Sequence, residues 1–132
     1  MLFQNSFFEK RLVYDAKGNA VKESFFGIDS KPILNINGYA ESRLEYDERG
    51  KVSRVSFFGI DGKPALSDEG YADARMDYDN NGKVTRICLF GVDGKPVMHK
   101  QGFFEVVMEY DDNGNMIKKS YYNTEGKELQ LE

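Results

Sequence analysis

The side chains that could do chemistry here are carboxylates crowded into short turns, a lone histidine and a lone cysteine. Asp111-Asp112-Asn113-Gly114-Asn115 gathers oxygen ligands in one stretch, and Asp79-Asn80-Asn81-Gly82 resembles it. A calcium loop of the EF-hand type needs acids at alternate positions and a closing glutamate, and that spacing is missing. The same residues suit hairpin turns in which Asp and Asn bond to their own backbone, and no metal or cofactor is expected. His99 is the only histidine, so neither a His-based metal centre nor a Ser–His–Asp triad can be assembled. It falls in a variable connector and is expected to face solvent. Cys88 stands where Ser24, Ser56 and Ser120 stand in the other repeats, which reads as packing because no activating base is identifiable. Glu41 with Glu45, and Asp73 with Asp77, alternate with Arg43 and Arg75, a pattern for cross-strand ion pairs on a solvated face. Paired glycosidase carboxylates would require one repeat to differ from its neighbours in a cleft, and none does. There is no phosphate-binding loop and no nucleophile elbow. No catalytic residue is assigned, and the chain reads as a non-enzyme.

Doubled aromatics carry more information: Phe25-Phe26, Phe57-Phe58, Leu89-Phe90 and Tyr121-Tyr122. Neighbours in a strand point to opposite faces, so both cannot enter one core. If Phe58 and its equivalents are buried, Phe25, Phe57, Leu89 and Tyr121 form a row on the other face. That row is either covered by the apolar connector that follows it in each repeat, or it is a ligand-binding stripe.

The elements that position these residues repeat every 32 residues. Tyr14, Tyr46, Tyr78 and Tyr110 are evenly spaced, as are Asp15, Asp47, Asp79 and Asp111, and Gly18, Gly50, Gly82 and Gly114. A second comb contains Phe26, Phe58, Phe90 and Tyr122, then Lys31, Lys63, Lys95 and Lys127. A fixed period marks an array of one supersecondary unit, here one repeat domain over 1–132 with units 6–37, 38–69, 70–101 and 102–132. In the second unit Ala40, Ser42, Leu44 and Tyr46 alternate with Glu41, Arg43 and Glu45, a half-buried strand. Asp47-Glu48-Arg49-Gly50 then predicts a type I turn closed by a left-handed glycine and a G1 bulge. A second strand, Val52 to Phe58, follows and ends at another glycine turn, Gly59-Ile60-Asp61-Gly62. The simplest register sets Tyr46 opposite Val52 and Ala40 opposite Phe58, so that Val52, Ser56 and Phe58 share the buried face with Leu44 and Tyr46. Pro64-Ala65-Leu66 reads as a short third strand or a helical turn, with strand preferred, then a loop. Ser30 replaces the glycine found at 62, 94 and 126, so a looser turn or one of another type is expected there.

The fold expected is all-β: four antiparallel hairpin repeats in a curved sheet array, open, or closed into a barrel or a two-layered sheet. The 132 residues are 40% hydrophobic and 14% aromatic, enough for one core. A net charge of −4 with interleaved signs leaves no nucleic-acid footprint. No apolar run approaches a membrane span. Met1-Leu2-Phe3-Gln4-Asn5 does not read as a signal peptide, which places a complete chain in the cytoplasm.

Tyr46-Asp47-Glu48-Arg49-Gly50 and Tyr78-Asp79-Asn80-Asn81-Gly82 resemble the tyrosine–aspartate repeats of bacterial Rhs-type proteins and the second class of MORN repeat. The resemblance implies β-hairpin arrays and a bacterial surface, toxin or immunity setting. It carries over no functional residue. Repetition without a distinguished unit points to a non-catalytic interaction or scaffold module with a protein partner. The alternative is binding of a glycan or cell-wall polymer, stacked on Phe25, Phe57, Leu89 and Tyr121. An open array would leave edges near Phe7–Tyr14 and Leu129–Leu131. Lys10 and Arg11 oppose Glu128 and Glu132 in charge, so weak head-to-tail association is expected of it. A closed barrel would stay monomeric.

Overall fold

The computed structural model describes residues 9–130. Its strands are β1 (Glu9–Tyr14), β2 (Ala20–Phe26), β3 (Glu41–Tyr46), β4 (Val52–Phe58), β5 (Asp73–Tyr78), β6 (Val84–Phe90), β7 (Glu105–Tyr110), β8 (Met116–Tyr122) and β9 (Glu128–Leu129). They form one antiparallel sheet in strict chain order, with β1 at one side and β9 at the other. The all-β hairpin array read from the repeat is therefore the fold. The sheet does not close into a barrel, and the described residues form no helix.

Each hairpin is set by its Asp-x-x-Gly turn. The Asp47 carbonyl accepts the Gly50 N–H at 3.0 Å, and the Asp47 N–H donates to the Lys51 carbonyl at 2.8 Å. Gly50 has φ +83°, a conformation that a Cβ would strain. The Asp47 carboxylate takes the Arg49 and Lys51 N–H groups at 2.9 Å each. Asp15, Asp79 and Asp111 do the same in their own turns. These backbone donors hold the Asp15, Asp47 and Asp111 carboxyls below the ordinary range, because they stabilise the charged form. One carboxylate oxygen of the leading Asp in each turn, among those that suggested a cation site, is thus spent on the backbone.

A second turn, Gly59 to Lys63, folds the chain back so that Pro64 makes one isolated bridge with Phe58. Neither a third strand nor a helical turn develops from it in the first three units; only the last unit extends it, as β9. A third turn closes each connector, at Asn35–Tyr39, Ser67–Tyr71 and His99–Phe103. The loop expected from the sequence is thus another ordered Gly-closed turn. Successive third turns are bonded to each other: the Asp68 N–H donates to the Asn37 carbonyl at 2.8 Å, and Lys100 to Glu69 at 2.9 Å.

Ser30 sits at φ +67°, and its N–H still donates to the Gly27 carbonyl at 2.9 Å. The expected looser or different turn is not found; the common turn is kept with a strained residue in it. Ser30→Gly should stabilise the protein by about 0.5–1 kcal/mol, the left-handed penalty less the added chain entropy of glycine. Urea midpoints check this, and a lower midpoint would show that the Ser30 side chain compensates for its backbone.

The register departs from the simplest one by a single residue. Tyr46 pairs with Val52 as expected, but Glu45 pairs with Arg54, leaving Ser53 as a bulge. Beyond it Leu44 faces Val55, Ser42 faces Phe57 and Glu41 faces Phe58. The expected pairing of Ala40 with Phe58 is displaced, because one extra residue reverses every later side chain. Val21, Thr85 and Ile117 are the equivalent bulges in the other hairpins. The apolar face therefore carries Leu44, Val55, Phe57, Ala74, Met76, Ile87 and Leu89, while Ser56 and Phe58 belong to the charged face.

Candidate interaction surface

The bulge decides which member of each aromatic doublet is covered. Phe25, Phe57 and Leu89 are 5%, 8% and 4% exposed, and Tyr121 is half-buried. Phe26, Phe58 and Phe90 are the half-buried set, the reverse of the condition on which a stripe rested. The row is filled from above by residues of the third turns. Tyr39 stacks on Phe57 at 4.3 Å and 24°, Tyr71 meets Phe57 at 5.7 Å, and Tyr39 meets Phe25 at 6.0 Å. Phe103 completes it against Tyr121 at 5.0 Å. Of each connector's apolar pair, Ile33, Ala65 and Val97 turn inward, and Leu34, Leu66 and Met98 stay exposed. Phe25, Phe57 and Leu89 present no open ring or side-chain face to a polymer.

His99 belongs to this covered layer, contrary to the expectation that it faces solvent. Its ring stacks on Phe103 at 4.6 Å and 10°, and lies 6.3 Å from Tyr71. Its Nδ1 accepts the Gln101 N–H at 3.0 Å. The signal for this was its alignment with Asn35, which caps the same turn through its own side chain. Cys88 is buried, and that burial raises its thiol pKa, so it is a packed thiol rather than a thiolate. Among the described residues, no group of three or more His, Cys, Asp and Glu is placed to hold a metal ion.

The opposite face is built from a repeated charged motif. Within β1, β3 and β5 an acid and an arginine two residues apart are paired: Glu9–Arg11 at 2.8 Å, Glu41–Arg43 at 2.5 Å and Asp73–Arg75 at 3.7 Å. Each guanidinium also lies over the ring of the neighbouring strand, Arg11 on Phe26, Arg43 on Phe58 and Arg75 on Phe90, at 4.0, 4.1 and 4.2 Å. Ring and carboxylate together fix a charge that would otherwise sweep through solvent. Val107 interrupts the series in the last unit. Glu41 and Asp73 also reach across the junctions between units, to Lys22 at 3.8 Å and to Arg54 at 2.6 Å, and Glu105 does the same to Arg86. Beside the Phe26 and Phe58 columns lie hollows. One of about 280 Å³ is bounded by Phe26, Pro32, Glu41 and Ile60, and one of about 110 Å³ by Phe58, Pro64, Asp73 and Val92. The cross-strand pairs expected of Arg43 and Arg75 form within their own strands instead, to Glu41 and Asp73. Their seat on Phe58 and Phe90 was not legible in the sequence, because it depends on the bulge.

Lys10 and Arg11, expected to reach an acidic strand of another chain, are engaged within their own. Lys10 pairs with Glu23 at 3.4 Å and Arg11 with Glu9. Phe7, Leu131 and Glu132, invoked for the two edges, lie outside the described residues.

Fold and surface together define an open antiparallel hairpin-repeat sheet with one covered aromatic layer and one charged face. No protein-family model matches the chain, and no curated protein matches its sequence.

Proposed function

We propose that this chain is a non-catalytic protein-interaction module whose charged face is the recognition surface. The observation that supports this is the recurrence of Arg11, Arg43 and Arg75 on Phe26, Phe58 and Phe90, one fixed cation in each of the first three units. Ordering these side chains in advance lowers the entropy that a partner must overcome on binding. The adjoining hollows, repeated from one unit to the next, suit side chains of an extended protein segment. The likeness of the turns to tyrosine–aspartate and MORN-type arrays supports a bacterial surface, toxin or immunity setting.

The test compares immobilised chain with its Arg43→Gln/Arg75→Gln variant, both checked for equal thermal midpoints. Proteins retained by the parent should be depleted about ten-fold or more on the variant, two partly desolvated arginine contacts being lost. Equal recovery of every retained protein on both would remove the charged face from the reading. Reproducible turnover of any substrate by the purified chain would overturn the non-catalytic assignment.

A further inference from the structure

We propose that β8 of one chain accepts β1 of a second copy, continuing the sheet head to tail in the register that joins its own units. This names a partner that the charged face does not require, and it rests on bonds that recur at every internal junction. In each, a tyrosine hydroxyl reaches back to the carbonyl of the first residue in the preceding unit's second strand. Tyr46 donates to Ala20 at 2.5 Å, Tyr78 to Val52 at 2.6 Å and Tyr110 to Val84 at 2.6 Å. The next carbonyl in that series is Met116, and the one remaining tyrosine of the comb is Tyr14. Tyr14 is 57% exposed, whereas its three counterparts are half-buried.

The ion pairs form a second, independent series. Lys22, Arg54 and Arg86 each meet an acid of the following strand. Lys118 is the fourth basic residue of that series and has no ion pair among the described residues. Glu41, in the third strand, binds both Arg43 of its own strand and Lys22 of the preceding one. Glu9, its counterpart in β1, binds Arg11 and no other basic residue among the described residues. Each half of one further junction thus stands at opposite sides of the sheet: Lys118 and the Met116 carbonyl on β8, Glu9 and the Tyr14 hydroxyl on β1.

β9 does not obstruct the joint. It pairs only with Tyr121 and Tyr122, and in the other units Ile33, Ala65 and Val97 occupy the same place without excluding the next strand. Met116 to Lys119 are all exposed, while the equivalent stretch of β4 is half-buried beside β5. Counting the register of the internal junctions forward places Ser120 opposite Glu9, Lys119 opposite Lys10 and Lys118 opposite Arg11. Two basic residues also face each other at Lys22–Arg43 and at Arg54–Arg75, and there an acid bridges them. Lys119 facing Lys10 has no such internal precedent, since Val55 meets Ala74 and Ile87 meets Val106 there. That like-charge pair makes the joint weak.

Sedimentation of the full 132-residue chain over a wide concentration range tests the proposal. A heterologous joint that does not close should give average mass rising past the dimer, without a plateau. Tyr14→Phe should weaken association about two- to ten-fold, the loss of one hydrogen bond. Lys118→Glu should weaken it about two- to five-fold, and Lys119→Ile should strengthen it by a similar factor. All three positions are exposed, so the variants should fold as the parent does, and circular dichroism verifies it. A concentration-independent monomer, including for Lys119→Ile, overturns the proposal. So does a plateau at dimer that ignores Lys118→Glu, since that would be two equivalent edges meeting.

Discussion

Phe57→Ala is expected to lower stability by about 3–5 kcal/mol, the range for truncating a buried aromatic. Phe57 is 8% exposed and occupies the middle of the covered layer, stacked on Tyr39 at 4.3 Å and touching Tyr71 at 5.7 Å. Alanine removes the ring from both contacts at once, each worth about 0.5–1.5 kcal/mol beyond area burial. The void cannot collapse easily, because the third turns above it are bonded to each other through Asp68 and Asn37. Phe58→Ala is the matched control one residue away. Phe58 is half-buried and carries Arg43 on its face, so its loss should cost about half as much or less. Chemical denaturation of the two variants decides the register as well as the packing. If Phe58→Ala proved the more damaging, the bulge at Ser53 would be wrong and the faces exchanged.

Arg54→Leu is expected to cost about 1.5–3 kcal/mol, well above the cost of losing an ordinary surface ion pair. Asp73 is the reason. Its side chain is only 9% exposed, and one carboxylate oxygen takes both Nε and Nη2 of Arg54 at 2.9 and 2.6 Å. Its other oxygen has no hydrogen bond, with Arg75 3.7 Å away. Removing Arg54 leaves a buried carboxylate with one distant cation, and the penalty is the desolvation that no partner then offsets. Arg54 is itself 39% exposed, and that solvent access holds the figure below that of a fully buried pair. The double variant Arg54→Leu/Asp73→Val should recover more than half of the loss, since it removes the orphaned charge together with its partner. Urea unfolding of the two variants measures both steps. A single-variant loss of about 0.5 kcal/mol or less would mean that Asp73 is hydrated after all and that the junction is held by packing alone.

The local plan of this protein was legible in its residues. Asp47, Gly50, Gly62 and their counterparts define hairpin turns whose chemistry is contained within five consecutive residues, so spacing alone exposes them. Alternation along Glu41–Tyr46 likewise shows a strand with one wet face. From these follow the all-β class, the repeat and the pairing of neighbours in chain order. The edge of that legibility is the residue at which pairing ceases to be local. Ser53 carries no mark of its bulge, and the alternation of Val52 to Phe58 fits either register equally well. One extra residue then decides that Phe57 enters the covered layer and that Phe58 becomes a seat for Arg43. His99 is covered for a similar reason: the rings that sandwich it, Tyr71 and Phe103, come from two different third turns. Openness of the sheet was also beyond reach, because it depends on twist accumulated over all the strands and on no single pair. The residues by themselves determined the unit; the tertiary structure decided which side of each unit faces in, because that choice is made by contacts between units.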